Sequence, residues 1–138
     1  MIKPVEHRLE LKQNPNGSII IDDAYNSNIK GAKAAIDVLA EFKNKQRILI
    51  TPGIVELGDK QYDINKEFGK YAAKGCDYVI LVGEKQAIPL KDGLKEVKYS
   101  EEKIYVAKNL DDALNKMNEL VNKDSVVLLE NDLPDNYL

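Results

Sequence analysis

Apolar positions along this chain follow two alternating periods: short continuous or every-second-residue runs that read as strands, and longer stretches spaced by three and four residues that read as helices. The run Ile19-Ile20-Ile21 predicts a strand covered on both faces, and it ends abruptly in the polar string Asp22-Asp23-Ala24-Tyr25-Asn26-Ser27-Asn28. Ahead of it, His7 to Leu11 alternates and Asn14-Pro15-Asn16-Gly17 is a turn signal, so residues 6–24 read as a hairpin whose second strand is Ser18 to Asp22. A helix follows from Ile29 to Phe42, with Ala32, Ala35, Ile36 and Leu39 in one apolar stripe. Strand Arg47 to Thr51 is stopped by Pro52-Gly53, and beyond the loop Ile54 to Asp59 a second helix carries Ile64, Phe68, Tyr71 and Ala72 on one side. Strand Tyr78 to Val82 ends at Gly83, a short helix spans Gln86 to Glu96, and strand Lys103 to Ala107 leads into a helix from Leu110 to Val121. Ala113, Leu114, Met117, Leu120 and Val121 form that helix's apolar face, a spacing that makes Met117 a core residue. The last strand is Ser125 to Leu129, and Glu130 to Leu138 reads as a polar end.

Strands alternating with helices imply crossover units, a mainly parallel sheet and a three-layer α/β sandwich, to which the initial hairpin adds one antiparallel strand. No repeat or linker divides residues 1–138, so a single domain is expected. Polar groups gather after four strands, at Asp22 to Asn28, Thr51 to Asp59, Gly83 to Gln86 and Glu130 to Tyr137. Parallel strands bring these four segments to one sheet edge, where open α/β sheets bind ligands. A helix N-cap accounts for one short polar residue such as Asn28; seven mostly polar residues in succession exceed that need.

A hydrophobic content of 43% and a net charge of -3 describe a globular chain with no electrostatic case for nucleic acid or an anionic membrane. No apolar run is long enough to span a bilayer and no export signal opens the chain, so a cytoplasmic protein is expected. Cys76 is the one cysteine and His7 the one histidine, which excludes an intrachain disulfide and a Cys/His zinc cage. Cys76 reads as a small core residue, with no second histidine to activate its thiol. The chain has no G-x-x-x-x-G-K-[ST] phosphate loop, no G-x-G-x-x-G after its first strand and no G-x-S-x-G elbow. A role in catalysis would therefore come from holding ligands, not from a self-contained proton-transfer machine.

His7-Arg8-Leu9-Glu10, then Ile21-Asp22-Asp23-Ala24-Tyr25-Asn26-Ser27-Asn28, then Thr51-Pro52-Gly53-Ile54-Val55-Glu56-Leu57-Gly58 closely resembles, in order and spacing, the C-terminal domain of Mur ligases. The likeness is strongest to the branch that adds D-alanyl-D-alanine to a UDP-muramoyl tripeptide, and it covers nearly the whole chain. The resemblance implies a Rossmann-like fold and a part in ATP-dependent amide bond formation, in which an acyl phosphate is attacked by the incoming amine. It also implies a monomer that acts with two further domains in cis, one for the UDP-sugar and a central one holding ATP and Mg2+, so that this piece alone binds neither tightly and is inactive. A start at Met1 just ahead of the motif is expected for an excised piece or fragment of such a ligase.

Carried over by position, the resemblance puts Arg8 near the nucleotide ribose and phosphates and Asp23 on the ribose hydroxyls, with Tyr25, Asn26 and Asn28 facing the nucleotide and the interdomain cleft. A guanidinium fork suits phosphate, and a carboxylate suits adjacent hydroxyls. Glu56 falls where a carboxylate would meet the acceptor ammonium, and it equally suits the start of the following helix. Two departures stand out: Ile29 in place of the family's usual proline, and the ending Asn131-Asp132-Leu133-Pro134-Asp135-Asn136-Tyr137 in place of K-G-S-R. From its place after the last strand, the tail Glu130 to Tyr137 is expected to line the acceptor part of the cleft, with Asp132 and Asp135 as ammonium receivers; a packed surface tail is the alternative. A stand-alone nucleotide- or peptide-binding module without catalysis is the competing function.

Overall fold

A computed structural model describes residues 10–23, 28–54 and 59–130. The sheet has six strands: β1 (Glu10–Gln13), β2 (Ile19–Asp23), β3 (Gln46–Thr51), β4 (Tyr78–Val82), β5 (Ile104–Ala107) and β6 (Ser125–Glu130). They lie in the order β1-β2-β6-β3-β4-β5, all parallel except the β1–β2 hairpin. Four α-helices connect them: α1 (Ile29–Ala40), α2 (Gln61–Ala72), α3 (Glu84–Glu96) and α4 (Leu110–Leu120). The sequence-based α/β sandwich with an antiparallel hairpin strand is the observed architecture.

Layering follows from the direction of travel. From β2 to β5 the chain moves one way across the sheet, and α1, α2 and α3 share one face, closing a core that includes Ile21, Ile36, Leu49, Phe68, Leu81, Leu90 and Leu128. The return from β5 to β6 runs the other way, so a right-handed crossover lays α4 on the opposite face. There Leu110, Ala113 and Met117 pack on Ile48, Ile50, Ile80 and Val127, and the expected core role of Met117 holds.

The contact between α2 and α3 needs two glycines. A Cβ on Gly93 would lie 2.1 Å from the Lys66 carbonyl oxygen, and one on Gly69 2.3 Å from that of Leu90. With no side chain at either position the helix backbones meet directly, which sets the start of α3 beside the start of α2 at the sheet's carboxyl edge.

Several boundaries differ from the sequence reading. The first strand runs to Gln13 and all four of its described residues are exposed, because β1 is an outer strand and its alternation answers to no core. Helix α3 begins two residues earlier, at Glu84, and tolerates Pro89 within it. A 3-10 turn at Glu101–Lys103 carries no hydrophobic period and was not expected. The most consequential difference is Glu130, read as the first residue of a polar end: it is the last residue of β6, in register with Asp23 of β2 and fully buried.

Candidate functional site at the carboxyl edge

Side chains alternate along a strand, so the residues two beyond Ile21, Leu49 and Leu128 leave the same face of the sheet. Those residues are Asp23, Thr51 and Glu130, each with no exposed surface. The apolar layer under α1, α2 and α3 thus ends, at the carboxyl edge, in two carboxyl groups and a hydroxyl from three neighbouring strands.

The Thr51 hydroxyl donates to Glu130 Oε1 at 2.7 Å and its oxygen accepts the Gly53 amide at 2.9 Å. Glu130 Oε2 is buried with no hydrogen-bond partner among the described residues. Burial, with the Asp23 charge as a smaller contribution, pushes the Glu130 carboxyl up to about 8 against the opposing Thr51 hydrogen bond.

Asn65 on α2, itself buried, holds the loop leaving β3. Its Oδ1 accepts the Ile54 amide at 2.7 Å, and its Nδ2 donates to the Ile54 carbonyl at 2.8 Å and the Gln61 carbonyl at 2.9 Å. Gly53 adopts φ +88°, and a Cβ there would lie 2.7 Å from Asn65 Oδ1, so the turn requires glycine on both counts. The loop is therefore fixed from the sheet by Thr51 and from the helix layer by Asn65. Next to it, between the starts of α2 and α3, opens a cavity of about 610 Å³ whose lining includes Asp59, Tyr62, Lys85 and Ile88.

Of the sequence-predicted site residues, Asp23 lies at this edge, and Asn28 is the N-cap of α1, its side chain accepting the Gly31 amide at 2.8 Å. Arg8, Tyr25, Asn26, Glu56, Asp132 and Asp135, like His7, lie outside the described residues. Among the described residues no three Asp, Glu, His or Cys side chains gather as a metal-ligand set. Asn65 is an addition that sequence reasoning missed; Thr51 and Glu130 open polar segments expected at this edge, but their burial and the hydrogen bond between them were not read from the sequence. Asn65 carried a usable signal, a polar residue one position after Ile64 and three before Phe68 on the buried side of a helix.

Cys76 is a core residue as expected: it is buried, its thiol donates to the Ala72 carbonyl at 3.2 Å, and burial pushes it up to about 12. No helix among the described residues is long and apolar enough to cross a membrane.

The family model described as "Mur ligase, glutamate ligase domain" matches residues 7–130. The UDP-N-acetylmuramoyl-tripeptide–D-alanyl-D-alanine ligase of Escherichia coli K12 is 34% identical over 97 residues, 69% of this chain and 21% of that enzyme. A crystal structure of MurF from Acinetobacter baumannii superposes with a TM-score of 0.73 at 25% identity, covering 90% of this chain and 27% of its own. MurF from Thermotoga maritima in complex with ADP has the same fold, with a TM-score of 0.72 at 21% identity over 94% of this chain and 28% of its own. The chain thus spans about a fifth to under a third of the length of these relatives.

Proposed function

This chain belongs to the Mur ligase, glutamate ligase domain family, and on that premise we propose that it serves as the C-terminal domain of a MurF-like, ATP-dependent amide ligase of peptidoglycan precursor synthesis. In this reading it closes over ATP held by a central domain in cis and positions the incoming amine, D-alanyl-D-alanine or a related acceptor, against an activated UDP-muramoyl peptide in the cytoplasm. The observation that carries the reading is the convergence of Asp23, Thr51 and Glu130 at the carboxyl ends of three adjacent strands, where this class of sheet binds ligands. The ADP complex of a protein with the same fold supports nucleotide use.

Asp23 and Arg8 are assigned to the nucleotide, with Tyr25, Asn26 and Asn28 beside it; Glu56, Asp132 and Asp135 are assigned to the acceptor ammonium. Magnesium belongs, on this reading, to the central domain. Because Asp23 is fully buried and Asn28 already caps α1, the edge rearranges when nucleotide arrives, as closure of a hinged domain requires.

In the full-length protein, Asp23→Ala and Arg8→Ala should each raise the KM for ATP roughly ten- to a hundredfold, the loss expected for one charge-assisted hydrogen bond. Unchanged KM and unchanged turnover in both variants would defeat the nucleotide assignment. The 138-residue chain alone should release no phosphate from ATP. Steady magnesium-dependent release that copurifies with it would overturn the division of labour, and tight nucleotide binding by the chain alone would favour a stand-alone module.

A further inference from the structure

Among the described residues large apolar side chains are exposed at Leu11, Tyr62, Ile88 and Val97, and Tyr62 and Ile88 both line the cavity between the starts of α2 and α3. At about 610 Å³ it has the size of a small-molecule site. Its α2 side carries Asp59 and Tyr62, its α3 side Lys85, Ile88 and Pro89. Neither Asp59 nor Lys85 enters any ion pair formed among the described residues. Tyr62 is held by α3, its hydroxyl donating to Asp92 at 2.6 Å. Pro89 has no N–H to give to the carbonyl of Lys85 one turn earlier, so a backbone acceptor on the α3 side lacks its helical donor. An apolar wall, a lysine outside any ion pair and an open backbone acceptor complement the carboxyl end of a short neutral peptide, which offers a small side chain, a carboxylate and an amide N–H. Asp59 opposes an acidic side chain in the same space.

The strand order decides which end of an acceptor reaches this cavity. Neighbouring strands lie about 4.8 Å apart, so β4, which leads into α3, runs about 14 Å from β2, whose end carries the nucleotide-assigned Asp23. The loop leaving β3, fixed by Thr51 and Asn65, lies between them and leads toward Glu56. An amine received at that loop leaves the carboxylate of a single amino acid one residue away, whereas a dipeptide extends about 7 Å in the direction of α3. We propose that the cavity between the starts of α2 and α3 is the subsite for the carboxyl-terminal residue of a dipeptide acceptor, with Lys85 on its carboxylate, Ile88 and the Tyr62 ring on its side chain, and Asp59 selecting against acidic residues. The identity of the ligand as an acceptor rests on the ligase reading; the complementarity of the cavity to a peptide carboxylate does not.

The test gives the full-length protein D-alanyl-D-alanine, the C-terminal amide of that dipeptide, or D-alanine, and reads the KM for each beside the KM for ATP. Lys85→Met should raise the dipeptide KM about three- to tenfold, between the effect of an exposed ion pair and that of a shielded one, and leave the ATP KM unchanged. It should have no effect with the dipeptide amide, which already lacks the charge, or with D-alanine, which does not reach the cavity; Lys85→Arg should restore the dipeptide KM. Ile88→Asp should raise the dipeptide KM by a similar factor. Both side chains are exposed, so neither variant should unfold the chain. A dipeptide KM equal in wild type and Lys85→Met, or the same rise with the amide as with the dipeptide, would overturn the proposal. A wild-type protein that joins none of these amines would count against the ligase reading, and the cavity is then decided by titrating the 138-residue chain, labelled at its isoleucine methyl groups, with the dipeptide. An Ile88 methyl shift that weakens in Lys85→Met supports a peptide-carboxylate site there; an Ile88 signal that does not move, or moves equally in Lys85→Met, overturns it.

Discussion

Arg47 and Asp77, at the amino ends of β3 and β4, hold each other in a two-pronged contact, Nη2 to Oδ1 at 3.0 Å and Nε to Oδ2 at 3.1 Å, with the Arg47 backbone amide on the same carboxylate at 2.9 Å. Asp23 and Glu130, at the carboxyl ends of β2 and β6, are more deeply buried, and burial pushes the Glu130 carboxyl up to about 8. The amino edge satisfies its charges as a structural joint does. That joint is continued by Tyr99, whose hydroxyl donates to the Cys76 carbonyl at 3.0 Å. The carboxyl edge instead keeps a buried glutamate whose ionisation opposes folding, which marks it as the edge shaped by something other than stability.

The two edges should respond to pH with opposite signs. The Arg47 hydrogen bond holds the Asp77 carboxyl below its usual range, so its contribution is present above the unfolded value and is lost as pH falls through the folded one. Glu130 is raised, so the folded state holds its proton better than the unfolded chain does, and stability declines as pH rises from the ordinary glutamate range through about 8.

The largest effect on this comparison should come from Asn65→Ala, which removes three hydrogen bonds and strips the Ile54 amide of its buried acceptor. A loss of about 2–4 kcal/mol in urea unfolding is expected, and a loss well under that would mean the carboxyl-edge loop is not held from α2. Next, Glu130→Gln should stabilise the chain by about 1–3 kcal/mol near pH 9 and change little near pH 5, because the amide supplies the donor without a charge to bury. Destabilisation at both pH values would erase the contrast between the edges. Asp77→Asn should cost about 1 kcal/mol at neutral pH, a figure discounted for the partial exposure of that carboxylate, and the cost should fade in acid, as thermal melts across pH would register. Smallest is Lys12→Ala, which removes an exposed 3.4 Å pair with Asp22 on the outer hairpin. Less than about 0.5 kcal/mol is expected, and a larger value would show that surface charge, not burial, governs this end of the sheet.

The apolar periods and the breaks Asn14 to Gly17 and Pro52-Gly53 were enough to read the hairpin, the alternation of helix and strand and the polar carboxyl edge, since each rests on neighbours along the chain. Cys76 and Met117 were legible as core for the same reason. Asp23 was legible from its motif, but not its burial, nor the pairing with Glu130 that comes 107 positions later (130 − 23) in the chain.

By itself, the sequence determined the elements, the α/β class and the family likeness, because local patterning selects helix or strand and places polar strings where strands stop. Only the tertiary structure decided that β6 inserts between β2 and β3 and extends one residue further than its apolar run. That insertion sets Glu130 between Asp23 and Thr51, and whether a glutamate is a solvated tail residue or a buried proton holder depends on what adjacent strands bring to its sides, which no local pattern encodes.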